Sequence, residues 1–232
     1  AGADAFGWAQ RRVELVREEV VVPALPAELA GLRIAHLSDI HLYYGLHPAA
    51  RRAIDLVRQA APDITIITGD LAESVSQLRH VRSFVGECSG RLATVVTLGN
   101  WEHDVGITAS HMERTCERAG ATFLYNEALA LTVGDHRVAV VGLDDPLTGE
   151  PDPVRALREV PPDAVTVWGF HAPGYADTLR HESLPKPVFA LCGHTHGGQI
   201  RLPLLPPITP RGSGRFLAGW YRDSFAPLYV SR

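Results

Sequence analysis

The sequence predicts an α/β fold, and three observations carry the prediction. Short runs of β-branched and aliphatic residues alternate with stretches whose apolar residues recur at helical spacing, as in parallel βαβ units. A polar cluster follows each of five predicted strands. The 232 residues include 21 Gly and 17 Pro, so turns are many, yet 46% are apolar and 21% charged, the balance of a globular fold.

Residues 1–9 are small and mixed, with no basic stretch leading into an apolar one, so no intact signal peptide is expected. The chain starts without Met, as a processed or trimmed product would. Val13, Leu15, Val20 and Val22 form a β-prone stretch that Pro23 ends. Residues 32–37 read as a buried strand. Over 48–61, Ala53, Leu56, Val57 and Ala60 recur at i, i+3, i+4 and i+7, one face of a helix. Residues 64–68 are a short β-branched strand. Val75, Leu78, Val81, Val85 and Cys88 mark a second helical face, 93–98 another strand, and Met112, Cys116 and Ala119 a third helix.

The second half changes character. Residues 129–133 and 138–143 flank Gly134-Asp135-His136 and read as a hairpin. Residues 165–170 and 188–192 are further strands, with a short helical stretch at 174–179. Residues 202–210 are Pro-rich and apolar, unsuited to a central strand or a helix. Residues 216–220 and 228–231 are expected to close the sheet. With no repeat and no linker, residues 1–232 are expected to form one domain.

Composition excludes several classes. No apolar run approaches the ~18 residues of a membrane span. A net charge of −4 gives no broad basic surface for nucleic acid. Cys88, Cys116 and Cys192 are too few and too scattered for a disulfide framework, and no CxxC marks a thiolate zinc site. The unusual count is 11 His, several beside Asp, Asn and Gly.

Those residues fall at the predicted strand ends: Ser38-Asp39-Ile40-His41, Gly69-Asp70, Gly99-Asn100-Trp101-Glu102-His103-Asp104, His171-Ala172-Pro173, and Gly193-His194-Thr195-His196-Gly197-Gly198. Ligands of open α/β sheets bind outside the carboxyl ends of strands, so two Asp, one Asn and four His would converge on one rim. Imidazole and carboxylate together suit zinc, iron, nickel and manganese. Seven donors are too many for one ion and about right for two that share a carboxylate. Two ions ~3.5–4 Å apart clamp an in-line displacement at phosphorus, with a hydroxide between them as nucleophile.

Asp39-x-His41, Gly69-Asp70, Gly99-Asn100-x-Glu102, His171 and Gly193-His194-x-His196 resemble, in order, the five blocks of the calcineurin-like metallophosphoesterase superfamily. Leu-Pro-Ala-Glu-Leu before the first strand and His-Thr-His-Gly-Gly-Gln-Ile after the last look like its bacterial, often membrane-associated branch, which includes relatives of the UDP-diacylglucosamine hydrolases. The resemblance implies a four-layer α/β/β/α sandwich of two mixed sheets flanked by helices. It implies a metal-dependent phosphoric ester hydrolase acting on a phosphodiester, phosphomonoester or diphosphate, small or lipid-linked. It implies that Asp39, His41 and His196 bind one divalent transition-metal ion, that Asn100, His171 and His194 bind a second, and that Asp70 bridges them. Manganese is the expected metal, with iron and zinc compatible with the same donors. Peripheral membrane association of a longer protein is compatible with the branch, whereas the chain as given reads as soluble.

One position departs from the pattern. The family usually has His after the metal-binding Asn and assigns it to the leaving group or the phosphoryl oxygens; here it is Trp101, whose indole cannot act as a general acid. His103 is the alternative donor, two residues on. Bland readings stand beside the rest. Asp39 and Asp70 also suit helix N-caps, His36 a hydrogen-bonded strand histidine, His47 a loop or helix-face residue whose functional alternative is a substrate contact, Arg51-Arg52 a solvated face, and 202–208 either loop packing or a lipid-facing surface. Two other functions compete: a non-catalytic metal-binding scaffold, favoured by Trp101 and opposed by the full donor set, and a nuclease, opposed by the charge.

Overall fold

The computed structural model describes residues 13–198 and 209–232. Two sheets lie face to face. The first consists of β1 (Ile34–Leu37), β2 (Ile64–Thr68), β3 (Ala93–Thr97) and β4 (Thr122–Phe123), all parallel and in chain order. Parallel neighbours need crossover connections. Here α1 (Pro48–Ala60) links β1 to β2, α2 (Leu78–Glu87) links β2 to β3, and the short α3 (Asn100–Asp104) with α4 (Ala109–Glu117) links β3 to β4.

The second sheet contains β5 (Glu127–Val133), β6 (His136–Gly142), β7 (Val165–Gly169), β8 (Phe189–Cys192), β9 (Gly219–Tyr221) and β10 (Leu228–Val230), in the order β5-β6-β7-β8-β10-β9. β5 and β6 form the expected hairpin about Gly134, and the four central strands run parallel. The short helices α5 (Pro153–Ala156) and α6 (Tyr175–Leu179) lie on its far side.

Strand alternation builds three apolar layers. Ile64, Ile66 and Val95 of the first sheet meet Val138, Val140, Val167 and Leu191 of the second. Their neighbours Ile67 and Val96 point the other way, into Ala53, Ile54, Val57, Phe84, Val85, Met112 and Cys116 of α1, α2 and α4. Val141, Trp168, Phe170 and Cys192 point into Ala156, Leu179, Phe216 and Phe225. The result is four layers, helices, sheet, sheet and helices. The three cysteines are buried free thiols.

Several expectations shift. Residues 13–22 join neither ladder; Val13 and Val20 pack on the apolar layers while Val21 is exposed. The closing strand is Gly219–Tyr221, because Phe216 turns into the core instead of pairing. β4, with two residues, has no sequence period to betray it. Residues 1–9 and the run at 202–208 lie outside the described residues. Among the described residues no helix is long and apolar enough to cross a membrane.

Candidate metal centre

The clusters after β1, β2, β3, β7 and β8 meet at one rim, and backbone hydrogen bonds zip the loops together. Asp39 N–H donates to the Gly69 carbonyl (3.1 Å), His41 N–H to Asp70 (3.0 Å), Leu42 N–H to Leu71 (2.8 Å) and Gly193 N–H to His171 (3.1 Å). Side chains continue the pattern. Asp39 accepts the His194 N–H at 2.9 and 3.1 Å, and Asp70 Oδ1 accepts the Trp101 N–H at 3.0 Å. Each carboxylate thus binds the backbone of another loop.

The donors form two sets. Asp39, His41 and His196 offer atoms within 4.8 Å of one another, and so do Asp70, His171 and His194. Asp70 joins them: its Oδ2 is 3.1 Å from His171 Nε2 and 3.8 Å from His41 Nε2. Asp39 Oδ1 lies 3.6 Å from His196 Nε2 and 3.9 Å from His171 Nε2. Asn100, the seventh residue, opens α3, and its buried Oδ1 has no hydrogen-bond partner. An unpartnered amide oxygen in a buried setting costs free energy unless something electropositive meets it. With six imidazole and carboxylate donors assembled on the same rim, that observation fits metal ions.

Three rings are fixed by their second nitrogen, an arrangement that sets which nitrogen faces the centre. His41 Nδ1 pairs with Glu73 Oε1 (2.5 Å), His171 Nδ1 with the Thr68 carbonyl (2.7 Å), and His194 Nε2 with the Arg211 carbonyl (2.7 Å). Asp70, His171 and His194 are buried; His196, with a third of its side chain exposed, marks the open side. There Tyr43 stacks on His41 at 6.0 Å and Trp101 meets the same ring edge-on at 5.9 Å.

Burial pushes the Asp70 carboxyl up, yet His171 and His41 hold it down at about 2. Burial likewise opposes charge on His171, but Asp70, Asp39 and Asp145 raise it to about 10. That proton lies in a pocket of negative potential, and a cation binding the same atoms releases it.

The backbone is as specialised as the side chains. Asp39, His41, Asp70, His194 and His196 all have φ between +46° and +72°. A Cβ on Gly99 would stand 2.2 Å from Asp70 Oδ1, and one on Gly193 would stand 2.3 Å from Asp39 Oδ2. The two glycines leave room for carboxylates of other loops.

Some sequence assignments move. His47 is not free for substrate: its Nδ1 accepts the Ala50 N–H to cap α1, and its Nε2 pairs with the Ile40 carbonyl. His103 is drawn to the end of β6, where its Nε2 lies 2.7 Å from Asp144 Oδ1. That hydrogen bond raises His103, and its charge, with backbone N–H groups, lowers Asp144 against burial. Glu102 is fully buried and accepts four backbone N–H groups, from Gly99, Asp70, Leu71 and Ala72, at 2.6–3.1 Å. The residues sequence reasoning missed are Glu73, Asp144 and Asp145. Asp144-Asp145 carries the same signal as the other clusters, acid at a strand end, but the hairpin reading of 129–143 separates it from the parallel set. Glu73 carries no such signal.

The calcineurin-like phosphoesterase family profile matches residues 32–198. Phosphodiesterase YaeI of Escherichia coli is 29% identical over 97% of this chain and 81% of its own length. UDP-2,3-diacylglucosamine pyrophosphatase LpxG of Chlamydia trachomatis is 25% identical over 78% of this chain and 68% of its own. Among solved structures, the sulfate thiohydrolase SoxB of Thermus thermophilus superposes on 78% of this chain and 36% of its own with a TM-score of 0.50 and 17% identity, a likeness of fold.

Proposed function

From membership of the calcineurin-like phosphoesterase family, to which this chain belongs as a phosphoric ester hydrolase, we propose that it cleaves a phosphodiester or diphosphate bond at a two-metal centre. The observation that carries the reading is Asp70, one of whose oxygens faces both His171 and His41. Asp39, His41 and His196 would hold one ion and Asn100, His171 and His194 the other, with Asp70 shared between them. We take manganese as the metal, iron and zinc being compatible with the same carboxylate, amide and imidazole donors. Bound there, two such ions would supply Lewis acidity toward a phosphoryl oxygen and would lower the pKa of water toward neutrality.

The chain's own residues do the rest. The fixed rings and the Glu102 clamp hold the donors without reorganisation, which is where electrostatic catalysis gains most. Substrate enters past His196 and Trp101. Trp101 gives the leaving oxygen no acid. We assign proton delivery to His103, whose Nδ1 is the ring nitrogen left once Asp144 holds Nε2. YaeI by its name is a phosphodiesterase and LpxG a pyrophosphatase acting on a lipid-linked nucleotide sugar. Both bonds fall in the proposed class, and a lipid-linked substrate would bring the chain to a membrane surface. The whole chain is proposed to form one such domain.

The test is elemental analysis of manganese-loaded protein, followed by hydrolysis of phosphodiesters of graded leaving-group pKa. Two ions per chain and turnover of an activated aryl diester are expected. His103→Ala should steepen the leaving-group dependence, and Trp101→His should flatten it, each ~1.4 kcal/mol of leaving-group stabilisation being about tenfold in rate. One ion per chain would defeat the two-metal reading. A dependence unchanged in His103→Ala would remove His103 from catalysis.

A further inference from the structure

Away from the metal centre, α2 and α4 pack side by side on the outer face of the first sheet. They leave a groove of about 230 Å³, lined by Arg79 and Arg82 of α2 and by His111, Arg114 and Arg118 of α4 and its end. The spacing on each helix, three or four residues, turns these side chains to one face. Among the described residues no carboxylate lines the groove.

Left to itself, this arrangement is costly in three ways. Among the described residues none of the four guanidiniums makes an ion pair, whereas Arg58, Arg91, Arg137, Arg155, Arg215 and Arg232 all do. Arg79 occupies the first turn of its helix, where the macrodipole is positive, and that turn contains no acidic residue. Like charges at helical spacing repel. A net charge of −4 shows that the cluster does not simply reflect a basic chain. An anion in the groove would reverse all three effects.

We propose that this groove binds a multiply charged phosphate anion, a diphosphate or longer, apart from the metal centre. Guanidinium forks match phosphoryl oxygens two at a time. Four forks exceed what a single phosphate can engage, so adjoining phosphoryl groups fit best. A soluble diphosphate and a lipid headgroup offer the same chemistry.

The experiment is calorimetric titration of the manganese-loaded full chain with methylenediphosphonate, which resists hydrolysis, in wild type and Arg82→Ala/Arg114→Ala. The metal centre accounts for one molecule, so wild type should bind two. The variant should bind one, or bind the second about tenfold or more weakly per guanidinium removed. Its hydrolysis of an aryl phosphodiester should not change. Its thermal midpoint should equal or exceed that of wild type, because Ala favours helix and repulsion is relieved, so misfolding cannot mimic the result. Equal binding by both proteins overturns the proposal; a single molecule per wild-type chain that the variant loses supports it and counts against the metal centre instead. With a second molecule bound, arginine-dependent sedimentation with phosphatidylcholine vesicles that contain diacylglycerol diphosphate, and not with phosphatidylcholine alone, assigns the site to a lipid headgroup, and its absence assigns it to a soluble anion.

Discussion

His103 shows how much one side chain can depend on its neighbour. Asp144, itself buried and held by the Asp145 and Glu150 N–H groups, raises the imidazole and is lowered in return. The sign of the pH dependence follows. The stabilisation from a raised His is complete below its ordinary value and fades as pH climbs through the raised one. That from a lowered Asp is complete above its ordinary value and fades as pH drops through the lowered one. Both are in full force between about pH 4 and 6.5. His103→Ala should therefore lower stability by about 1–3 kcal/mol in that window and by less at pH 9. Thermal unfolding of both proteins across pH reads this out, and a gap that does not vary with pH would show that the pair is not ionic.

At the scale of elements, the loops are built to interlock. Gly99 precedes α3 and makes room for Asp70 from the loop after β2; Gly193 follows β8 and makes room for Asp39 from the loop after β1. Gly99→Ala should displace the shared carboxylate and weaken both ions by about 10–100-fold, whereas Gly193→Ala should weaken chiefly the ion held by Asp39. Gly86→Ala in α2, where an added Cβ meets only ordinary contacts, is the control. Manganese titration followed by elemental analysis distinguishes these outcomes, and unaltered occupancy in Gly99→Ala would contradict the interlock. These contacts also explain what could be read from the sequence. Ile64–Thr68 was legible because a strand buried on both faces reads as an unbroken β-branched run, and the helix of Ala53, Leu56 and Val57 because burial on one face imprints a period on apolar residues. Asp39, Asp70 and His171 were legible because polar residues at strand ends break it. Glu102 was legible as part of a motif but not as a clamp, since its partners are backbone N–H groups that any residue supplies. The pairing of β8 with β10 and the shortness of β4 leave no local trace at all.

For the whole molecule, the rim is held by backbone hydrogen bonds, by Glu102 and by three apolar layers, none of which needs an ion. Chelation should therefore leave the far-ultraviolet circular dichroism spectrum intact. Adding manganese back should raise stability by RT ln(1 + [L]/Kd), about 2.7 kcal/mol at a hundredfold excess over Kd. A chelated chain that loses its helical signal would mean that the ions, and not the loops, organise the rim. The left-handed backbone at Asp39, His41, Asp70, His194 and His196 reaches further still. Among residues with a side chain, Asn, Asp and His tolerate that twist best. Those three carry oxygen or nitrogen donors, and the chain's three thiols are buried elsewhere. The steric rule that shapes the turns thus also screens the inventory of ligands open to mutation. An ancestor that drifted toward thiolate coordination here would have met a backbone penalty before it met any chemical one.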